Sequence, residues 1–318
     1  MSRRRIVAKD IDAAAGVIDP VFLDSPQFVS EPLSAQVGVE VLVKVETLNP
    51  IRSFKGRGAD YLMHRHTASG TEAIVCASAG NFGQGMAFAG RTHGVPVVVF
   101  ASPNANPLKI ERMRALGADV RLEGEDFDSA KIAARAFAER SGARFVEDSR
   151  DVEPTIGAGT IGRELLKDGA TLDGVLVPLG NGALLAGVGC WVKHARPSTR
   201  VIGVCASGAP AMEESWRSGQ IVTHERIETI ADGIGVRIPV AEALDDIRSV
   251  TDEIVLVTDA QILDAMRLLH QHLGAVVEPS GAVGVAALQA HPHLRHGRVA
   301  VIVCGGNVTP QQIDDWLR

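Results

Sequence analysis

The stretch "AIVCASAGNFGQGMAF", residues 73–88, predicts a strand, a turn and the start of a helix. Its first residues form a nearly continuous apolar run, as in a strand that is covered on both faces. Small residues then mark a turn, and a helix is predicted from Asn81 to His93. The chain repeats this alternation of strand and helix. We therefore predict an α/β fold in which parallel sheets are flanked by helices.

Five further apolar runs predict strands, and the segments between them predict helices. The strands begin at Val41, Val95, Gly174, Arg200 and Arg298, and helices are predicted over residues 107–116, 128–141, 259–273 and 281–290. A chain of 318 residues is long enough for two lobes. We place the loops that join them near Val45 and Ser149, so that one lobe comprises residues 1–44 plus 149–318 and the other residues 45–148.

The composition excludes several classes of protein. The net charge of −6 at pH 7 makes nucleic acid a poor candidate partner, since nucleic-acid binding needs a basic surface. No run reaches the roughly 18 apolar residues that span a bilayer, and no export signal is recognised, so we expect a cytoplasmic protein without a membrane partner. The four cysteines contain no CxxC pair, and the histidine spacing suits no metal. No metal site is therefore expected.

Three glycine-rich turns follow predicted strands, and ligands of parallel sheets bind at the carboxyl ends of strands. They are "SAGNFGQG" (residues 78–85), "PLGNGALLAG" (residues 178–187) and "CGGN" (residues 304–307). The first turn precedes a helix, whose free N–H groups suit a carboxylate or phosphate. The second departs from G-x-G-x-x-G, with Leu185 at the last glycine, and lacks the acid that binds a ribose. A small phosphorylated cofactor is favoured over NAD.

One lysine, Lys55 in "NPIRSFKGRGAD" (residues 49–60), stands where a helix is expected to begin. A lysine at such a junction is most often an ordinary surface residue. A desolvated lysine, in contrast, is a nucleophile that forms Schiff bases with aldehydes. A lysine together with a phosphate-binding glycine turn suggests pyridoxal phosphate, an aldehyde with a single phosphate.

The motifs together resemble those of the fold-type II pyridoxal-phosphate enzymes, in the serine/threonine dehydratase (threonine ammonia-lyase) branch. The segment "SFKGRGA" looks like the family's Ser-Phe-Lys-x-Arg-Gly-Ala, and "SAGNFGQG" is similar to its Ser-x-Gly-Asn-His-x-Gln-Gly. The glycine loop at 178–187, "ADGIGV" (residues 231–236), "VEPSGA" (residues 277–282) and "CGGN" follow in the family's order. The resemblance implies a tryptophan synthase β-like fold, with the cofactor between a large cofactor-binding lobe and a small substrate-binding lobe.

The resemblance also implies a role for each matched residue. Lys55 is expected to bind the cofactor aldehyde and, once released, to act as the base at Cα. Asn81 is expected to hydrogen-bond the phenolic oxygen of the cofactor. The other implied cofactor contacts are Gly180, Asn181, Gly182, Ala183 and Leu184 at the phosphate, Gly233 and Glu278 near the ring, and Cys304 at the pyridine nitrogen. The implied substrate contacts are Ser53, Ser78, Ala79, Gly80 and Asn81.

Two of these residues favour elimination over racemisation. A neutral thiol at Cys304 cannot hold the pyridine nitrogen protonated as a carboxylate would, so the ring is a weaker electron sink. Loss of the Cα proton is then best coupled to departure of a β substituent. Related racemases have a serine as second base where this chain has Ala79, and alanine carries no proton. We therefore expect a dehydratase with little racemase activity.

Several positions depart from the family pattern. Phe82 replaces a histidine, which makes the pocket more apolar. Ile51 and Arg52 stand where Thr-Gly is common, and Arg52 is either a solvated residue or a contact for an anionic substrate group. Asn181 and Ala183 replace glycines of the phosphate loop. No acid follows "VIGV" (residues 201–204) until residue 213, where the family's cation site is expected, and no regulatory domain is expected after residue 318.

The predicted activity is pyridoxal-phosphate-dependent β-elimination on L-threonine or L-serine, giving a 2-oxo acid and ammonia. A β- or γ-replacement enzyme of the same fold, such as a threonine synthase, is one alternative. Another is a dehydratase for 3-hydroxyaspartate or phenylserine. From a different class, a non-catalytic amino-acid or nucleotide binding protein would not need Lys55. The resemblance implies a homodimer that acts on a small amino acid.

Overall fold

A computed structural model describes residues 4–70 and 72–318 of the chain. The strands are β1 (Gln27–Val29), β2 (Glu40–Val45), β3 (Ile74–Ala77), β4 (Val97–Ala101), β5 (Asp119–Leu122), β6 (Arg144–Val146), β7 (Gly174–Pro178), β8 (Arg200–Ala206), β9 (Glu253–Val257) and β10 (Arg298–Val303). They form a six-stranded sheet in the order β1-β2-β10-β7-β8-β9 and a four-stranded sheet in the order β5-β4-β3-β6.

Thirteen α-helices are found in the described part of the chain. They are α1 (Ala8–Ala15), α2 (Glu31–Val37), α3 (Lys55–Thr67), α4 (Asn81–His93), α5 (Pro107–Ala115), α6 (Phe127–Ser141), α7 (Val152–Leu165), α8 (Ala183–Ala195), α9 (Ala211–Ser218), α10 (Ala241–Arg248), α11 (Asp259–Leu273), α12 (Pro279–Ala290) and α13 (Pro310–Leu317). None of these helices is long and apolar enough to cross a membrane.

The predicted α/β class is confirmed, with one antiparallel pair at an edge. Strand β10 pairs in parallel with β2 and β7, so that Val301 lies opposite Val43 and Leu176. All pairs of the four-stranded sheet are parallel as well. Strand β1 alone among the described strands runs antiparallel, on β2. The division into lobes of residues 1–44 plus 149–318 and 45–148 stays a prediction; it assigns each sheet to one lobe, apart from the last residue of β2.

Three helices that approach one another through glycines connect the two sheets. A Cβ on Gly157 of α7 would lie 2.5 Å from the Cα of Gly58 on α3. A Cβ on Gly187 of α8 would lie 2.2 Å from the carbonyl oxygen of Thr155 on α7. Because only hydrogen fits at these points, the backbones of α3, α7 and α8 lie in direct contact. This contact fixes the N-terminus of α3, where Lys55 lies, relative to the N-terminus of α8.

A buried charge cluster, formed by Lys44, Glu46, Arg57 and Glu164, lies beneath α3. The Nε of Arg57 donates to Glu46 at 2.8 Å and its Nη1 to Glu164 at 2.5 Å, while Lys44 Nζ lies 2.5 Å from Glu164. Burial raises the pKa of Glu164, but the cations Arg57 and Lys44 lower it more, so the net shift is downward. The cluster connects β2, α3 and α7. The arginine of "SFKGRGA" is therefore a structural residue.

Candidate active site

A cavity of about 550 Å³ lies where the carboxyl ends of strands from both sheets meet. This is where parallel sheets place ligands. Thirteen of the fourteen residues predicted for the site line it, namely Lys55, Ser78, Ala79, Gly80, Asn81, Gly180, Asn181, Gly182, Ala183, Leu184, Gly233, Glu278 and Cys304. Ser53 does not line the cavity. It is fully buried, and its hydroxyl donates to the carbonyl oxygen of Cys304 at 3.2 Å.

Lys55 is the first residue of α3 and projects its amine into the cavity. The Nζ atom lies 2.6 Å from Oδ2 of Asp148, and the side chains of both residues are about one-sixth exposed. The same nitrogen lies 4.8 Å from the ring centroid of Phe54 and 5.7 Å from that of Phe82. Both distances are within the range of cation–π attraction. The amine is therefore held between a carboxylate and two aromatic rings.

The N-terminus of α8 forms an anion-binding site in the wall of the cavity. Gly182 precedes the helix with φ of 102°, a left-handed conformation that favours glycine, and no side chain caps the helix. The N–H groups of the first turn of a helix have no intrahelical partners and carry partial positive charge. A Cβ on Gly180 would lie 3.0 Å from the Cα of Ile234, so this turn is tightly packed. The predicted glycine loop thus supplies backbone donors for a phosphate.

A second turn, between β3 and α4, offers donors for a carboxylate. The Oγ of Ser78 accepts from the N–H of Gly83 at 2.9 Å and of Gly80 at 3.2 Å, which leaves its O–H to donate. A Cβ added to Gly80 would meet nothing within 4 Å, so this side of the turn is open. Helix α4 also begins without a side-chain cap. Ser78 takes up the N–H of Gly83, so the N–H groups of Asn81 and Phe82 are the ones in this first turn that can bind an anion.

Asn81 is oriented by a network of buried polar groups. Its Oδ1 accepts from Asn307 at 2.8 Å and from Gln84 at 3.3 Å, and its Nδ2 donates to Glu278 at 2.7 Å. Because an amide nitrogen has two donors, one N–H is left over. Burial raises the pKa of Glu278, and the ammonium of Lys109 offsets part of this effect. The network therefore leaves Asn81 one spare donor at the wall of the cavity.

Cys304 supplies a neutral thiol to the cavity wall. Burial, together with the nearby carboxylate of Glu278, raises the pKa of this thiol well above its ordinary value of 9.0. The side chain is 4% exposed. At neutral pH it is a weak donor without charge.

Several residues of the site were missed by sequence reasoning. Asp148, which pairs with Lys55, follows β6, a strand too short and polar to be recognised. Asp232 pairs with Lys109 at 2.6 Å, and this contact joins α5 to the loop before Gly233. Asn307 belongs to the quoted "CGGN", but nothing in the sequence indicated that its side chain contacts Asn81. The only available signal was that these residues follow strands or flank the glycine turns.

The departures from the family pattern have distinct structural contexts. Phe82 lines the cavity and is 5% exposed. Arg52 is exposed, does not line the cavity, and has φ of 52°, the region in which glycine is favoured. Among the side chains that the structure describes, no group of three His, Cys, Asp or Glu is placed to hold a metal ion.

The chain belongs to the family of pyridoxal-phosphate-dependent enzymes, because the sequence model of the family described as "Pyridoxal-phosphate dependent enzyme" matches residues 18–305. Within that family it is similar to the L-threonine ammonia-lyase of Thermotoga maritima, with 36% identity over 310 residues that cover 97% of this chain and 77% of the relative. Among solved structures, the threonine deaminase of T.th. has a TM-score of 0.90 and 32% identity, over 95% of this chain and 99% of the other. Maize serine racemase has a TM-score of 0.91 and 26% identity, over 98% of this chain and 96% of the other.

The residues present fit pyridoxal phosphate. The uncapped N-terminus of α8 would provide donors for the phosphate, and the spare N–H of Asn81 would provide one for the phenolic oxygen. Lys55 provides the amine that the aldehyde requires. The neutral thiol of Cys304 would be a weak hydrogen-bond donor or acceptor for the ring nitrogen. The predicted cofactor is thus pyridoxal phosphate, and the chain is a fold-type II member of the family.

Proposed function

We propose that the protein is an ammonia-lyase that eliminates the β-hydroxyl of an amino acid of the L-threonine or L-serine type. The products are a 2-oxo acid and ammonia; the water lost in the elimination is regained on hydrolysis. The observation that carries the proposal is the neutral thiol of Cys304 at the wall of the cavity that holds Lys55. When bound, pyridoxal phosphate withdraws the electron pair left at Cα, and a neutral ring withdraws it less strongly than a protonated one.

Each wall of the cavity has a task in this reaction. The turn from Ser78 to Asn81 binds the carboxylate of the substrate through the N–H of Asn81 and the Ser78 hydroxyl, whose oxygen already accepts from Gly80 and Gly83. Lys55 takes the proton from Cα, for which its amine must come within about 3.5 Å of that carbon. The residues Gly180 to Leu184 hold the phosphate end. Gly233, Glu278 and Asn81 line the same cavity; the first two would lie beside the ring of the cofactor, and Asn81 would donate to its oxygen.

Racemisation is disfavoured because Ala79 stands where related racemases have a serine as second base. The side chain of Ala79 lines the cavity but carries no proton. Of the alternatives, a β- or γ-replacement enzyme would use the same cofactor and the same lysine. A binding protein without catalysis would not need the amine of Lys55 in this cavity. Efficient interconversion of L- and D-serine by the purified enzyme would contradict the proposal.

The test is the release of 2-oxo acid from L-threonine, L-serine, both 3-hydroxyaspartates and phenylserine. We expect turnover of at least one substrate by the purified protein and none by the Lys55→Ala variant. Lys9→Ala, at an exposed lysine of α1, is the matched control and keeps full activity. No release from any β-hydroxy amino acid, in protein that retains the cofactor, would overturn the proposed elimination and favour replacement chemistry.

The assembly and location belong to the same proposal. We infer a cytoplasmic homodimer that acts on a free amino acid, as the family resemblance implies. The net charge of −6 supports a small-molecule substrate over nucleic acid. Light scattering on the eluate of a sizing column would test it, and a mass of 33.6 kDa, that of one chain, would contradict the dimer.

A further inference from the structure

The amine of Lys55 occupies a site with the features of a cation-binding pocket. Asp148 lies 2.6 Å away on one side, and the rings of Phe54 and Phe82 lie at 4.8 and 5.7 Å. A carboxylate with aromatic faces is an arrangement that recognises ammonium groups. We call the set of Phe54, Phe82 and Asp148 the cation pocket.

In the working enzyme, the amine of Lys55 does not stay in the cation pocket. Lys55 binds the cofactor and then serves as the base at Cα, so its nitrogen is no longer available as a permanent partner of Asp148. The second oxygen of this carboxylate, Oδ1, is buried and has no hydrogen-bond partner within residues 4–70 and 72–318. A carboxylate that loses its cation in a half-enclosed cavity favours the binding of another cation.

Other carboxylates of the cavity wall keep partners that the reaction does not use. Glu147 pairs with Lys131 at 3.1 Å and with Arg135 at 2.8 Å. Asp128 pairs with Arg237, and Asp232 with Lys109. Asp148 differs from them because its cation is the catalytic lysine itself. Ser149, the next residue, has φ of 69°, an uncommon conformation for serine that marks this turn as a constrained segment.

The distance from Asp148 to the substrate limits which substituent it can bind. If the Cα of the substrate lies within about 3.5 Å of Lys55 Nζ, the Asp148 carboxylate lies within about 6 Å of that carbon. A hydrogen-bonding group attached at Cβ or Cγ can cover this distance. The cation pocket is therefore positioned for the side chain of the substrate and not for its α-amino group.

We propose that the substrate of this enzyme is a β-hydroxy amino acid whose side chain carries a second ammonium group, bound by Asp148 between Phe54 and Phe82. This inference rests on the proposed elimination for the reaction itself. A γ-ammonium, as in a 3-hydroxy-2,4-diamino acid, reaches the carboxylate and leaves the β-hydroxyl free to depart. An acidic side chain, as in 3-hydroxyaspartate, is repelled by Asp148.

The first test measures binding without turnover, on the cofactor-loaded protein. L-2,4-diaminobutyrate and L-2-aminopentanoate have the same shape, and neither has a β leaving group; only the first has a side-chain ammonium. By calorimetry, we expect the diamino acid to bind about tenfold more tightly or better, which is the effect of one charge-assisted hydrogen bond in a half-buried site. Equal affinity of the two ligands for the loaded protein would overturn the proposal.

Two isosteric variants locate the effect. Asp148→Asn is expected to abolish the preference, so that the two ligands bind the loaded variant equally. Glu147→Gln removes the adjacent carboxylate of the same wall, which already has its own cations, and is expected to retain the preference. Absorbance of the bound cofactor shows that both variants are loaded. A preference that survives in Asp148→Asn would place the cation elsewhere and overturn the assignment.

The second test separates this inference from the proposed function. We expect kcat/KM for a 3-hydroxy-2,4-diaminobutyrate to exceed that for L-threonine, and the ratio to fall in Asp148→Asn. If no β-hydroxy amino acid is turned over but the binding preference is present, the elimination is wrong and the cation pocket is supported. If L-threonine is turned over and the two ligands bind equally, the elimination stands and the cation pocket is wrong.

Discussion

Asp246, on α10, is a buried carboxyl whose charged form destabilises the fold. Burial raises the pKa of this carboxyl from 3.8 to about 6, and the nearby Arg5 offsets part of the shift. Because the folded state binds the proton more tightly than the unfolded state, protonation stabilises the fold. This contribution is complete below pH 4 and is lost as the pH rises from 4 to 6.

The variant Asp246→Asn removes this dependence. We expect it to match the wild type at pH 4 and to exceed it by about 1 kcal/mol at pH 7, a modest gain because the variant also loses the attraction of Arg5. Urea unfolding at pH 4, 5, 6 and 7 measures the difference. A variant that is less stable than the wild type at pH 7 would show that the pair with Arg5 outweighs the burial of the charge.

Individual site residues could be predicted from the sequence where the local backbone structure positions them. The glycine turns and Lys55 could be recognised because strand, turn and helix signals locate them at one edge of a sheet. Asp148 could not be recognised, because its importance comes from a contact with Lys55, 93 positions away. The position of Ser53 was also not predictable: its hydroxyl is taken up by the carbonyl oxygen of Cys304.

Among the elements, the contact of α3 with α7 depends on glycine at position 157. A methyl group there would lie 2.5 Å from Gly58 of α3, and no flexible side chain can move aside. We expect Gly157→Ala to destabilise the protein by about 2 kcal/mol or more through overpacking. The displacement of α3 also moves Lys55, so the variant should lose bound cofactor.

A matched glycine serves as the control for this prediction. Gly16, at the end of α1, has φ of −85°, and a Cβ there would be 3.4 Å from its nearest neighbour, an ordinary contact. We expect Gly16→Ala to be neutral or slightly stabilising. Thermal unfolding and cofactor absorbance are measured on both variants. Equal stability of the two would contradict the close contact of α3 with α7.

The buried charge cluster provides a second prediction for the same elements. Arg57→Leu leaves Glu46 and Glu164 with Lys44 as their only cation in the cluster, and we expect a loss of about 3–5 kcal/mol. Arg163→Leu, on the surface of α7, breaks an exposed pair with Asp12 and should cost less than about 1 kcal/mol. Urea unfolding compares the two, and similar losses would rule out a structural role for the cluster.

The predicted elements have a strong local signal, although the apolar strand β9 was missed despite one. Helix α4 has the predicted bounds, Asn81 to His93, because an uncapped glycine turn precedes it and a glycine follows it. Strands β5 and β6 were missed because they are short and half-exposed. Strand β1 was missed for a different reason. It has three residues and its pairing is antiparallel to β2, a geometry that no strand–helix alternation predicts.

For the whole molecule, the four cysteines report how tightly the two sheets and their helices are packed. All four are buried as free thiols. Burial raises the pKa of Cys190 to about 11 and that of Cys76 to about 12, and it raises those of Cys205 and Cys304 further. The reactive thiolate is therefore scarce in the folded protein.

We expect a disulfide reagent at pH 8 to modify the cofactor-loaded protein, in which the cofactor would cover Cys304 at the cavity wall, only as fast as the fold opens, and all four thiols at once in denaturant. The reaction is followed by the colour of the released thiolate, with and without urea. The rate should rise with urea in step with unfolding. A thiol that reacts within the mixing time in buffer alone would reveal an exposed cysteine and contradict the packing described above.

The buried charge cluster beneath α3 also limits how this sequence can change over many generations. Its two acidic and two basic side chains neutralise one another, so replacing one of them leaves an unpaired charge in the interior. Accepted replacements should therefore come in pairs, one acid together with one base, or not at all. Surface pairs such as Arg163 with Asp12 carry no such restriction. In a large collection of relatives, positions 44, 46, 57 and 164 should accordingly change together, although they are up to 120 residues apart in the chain.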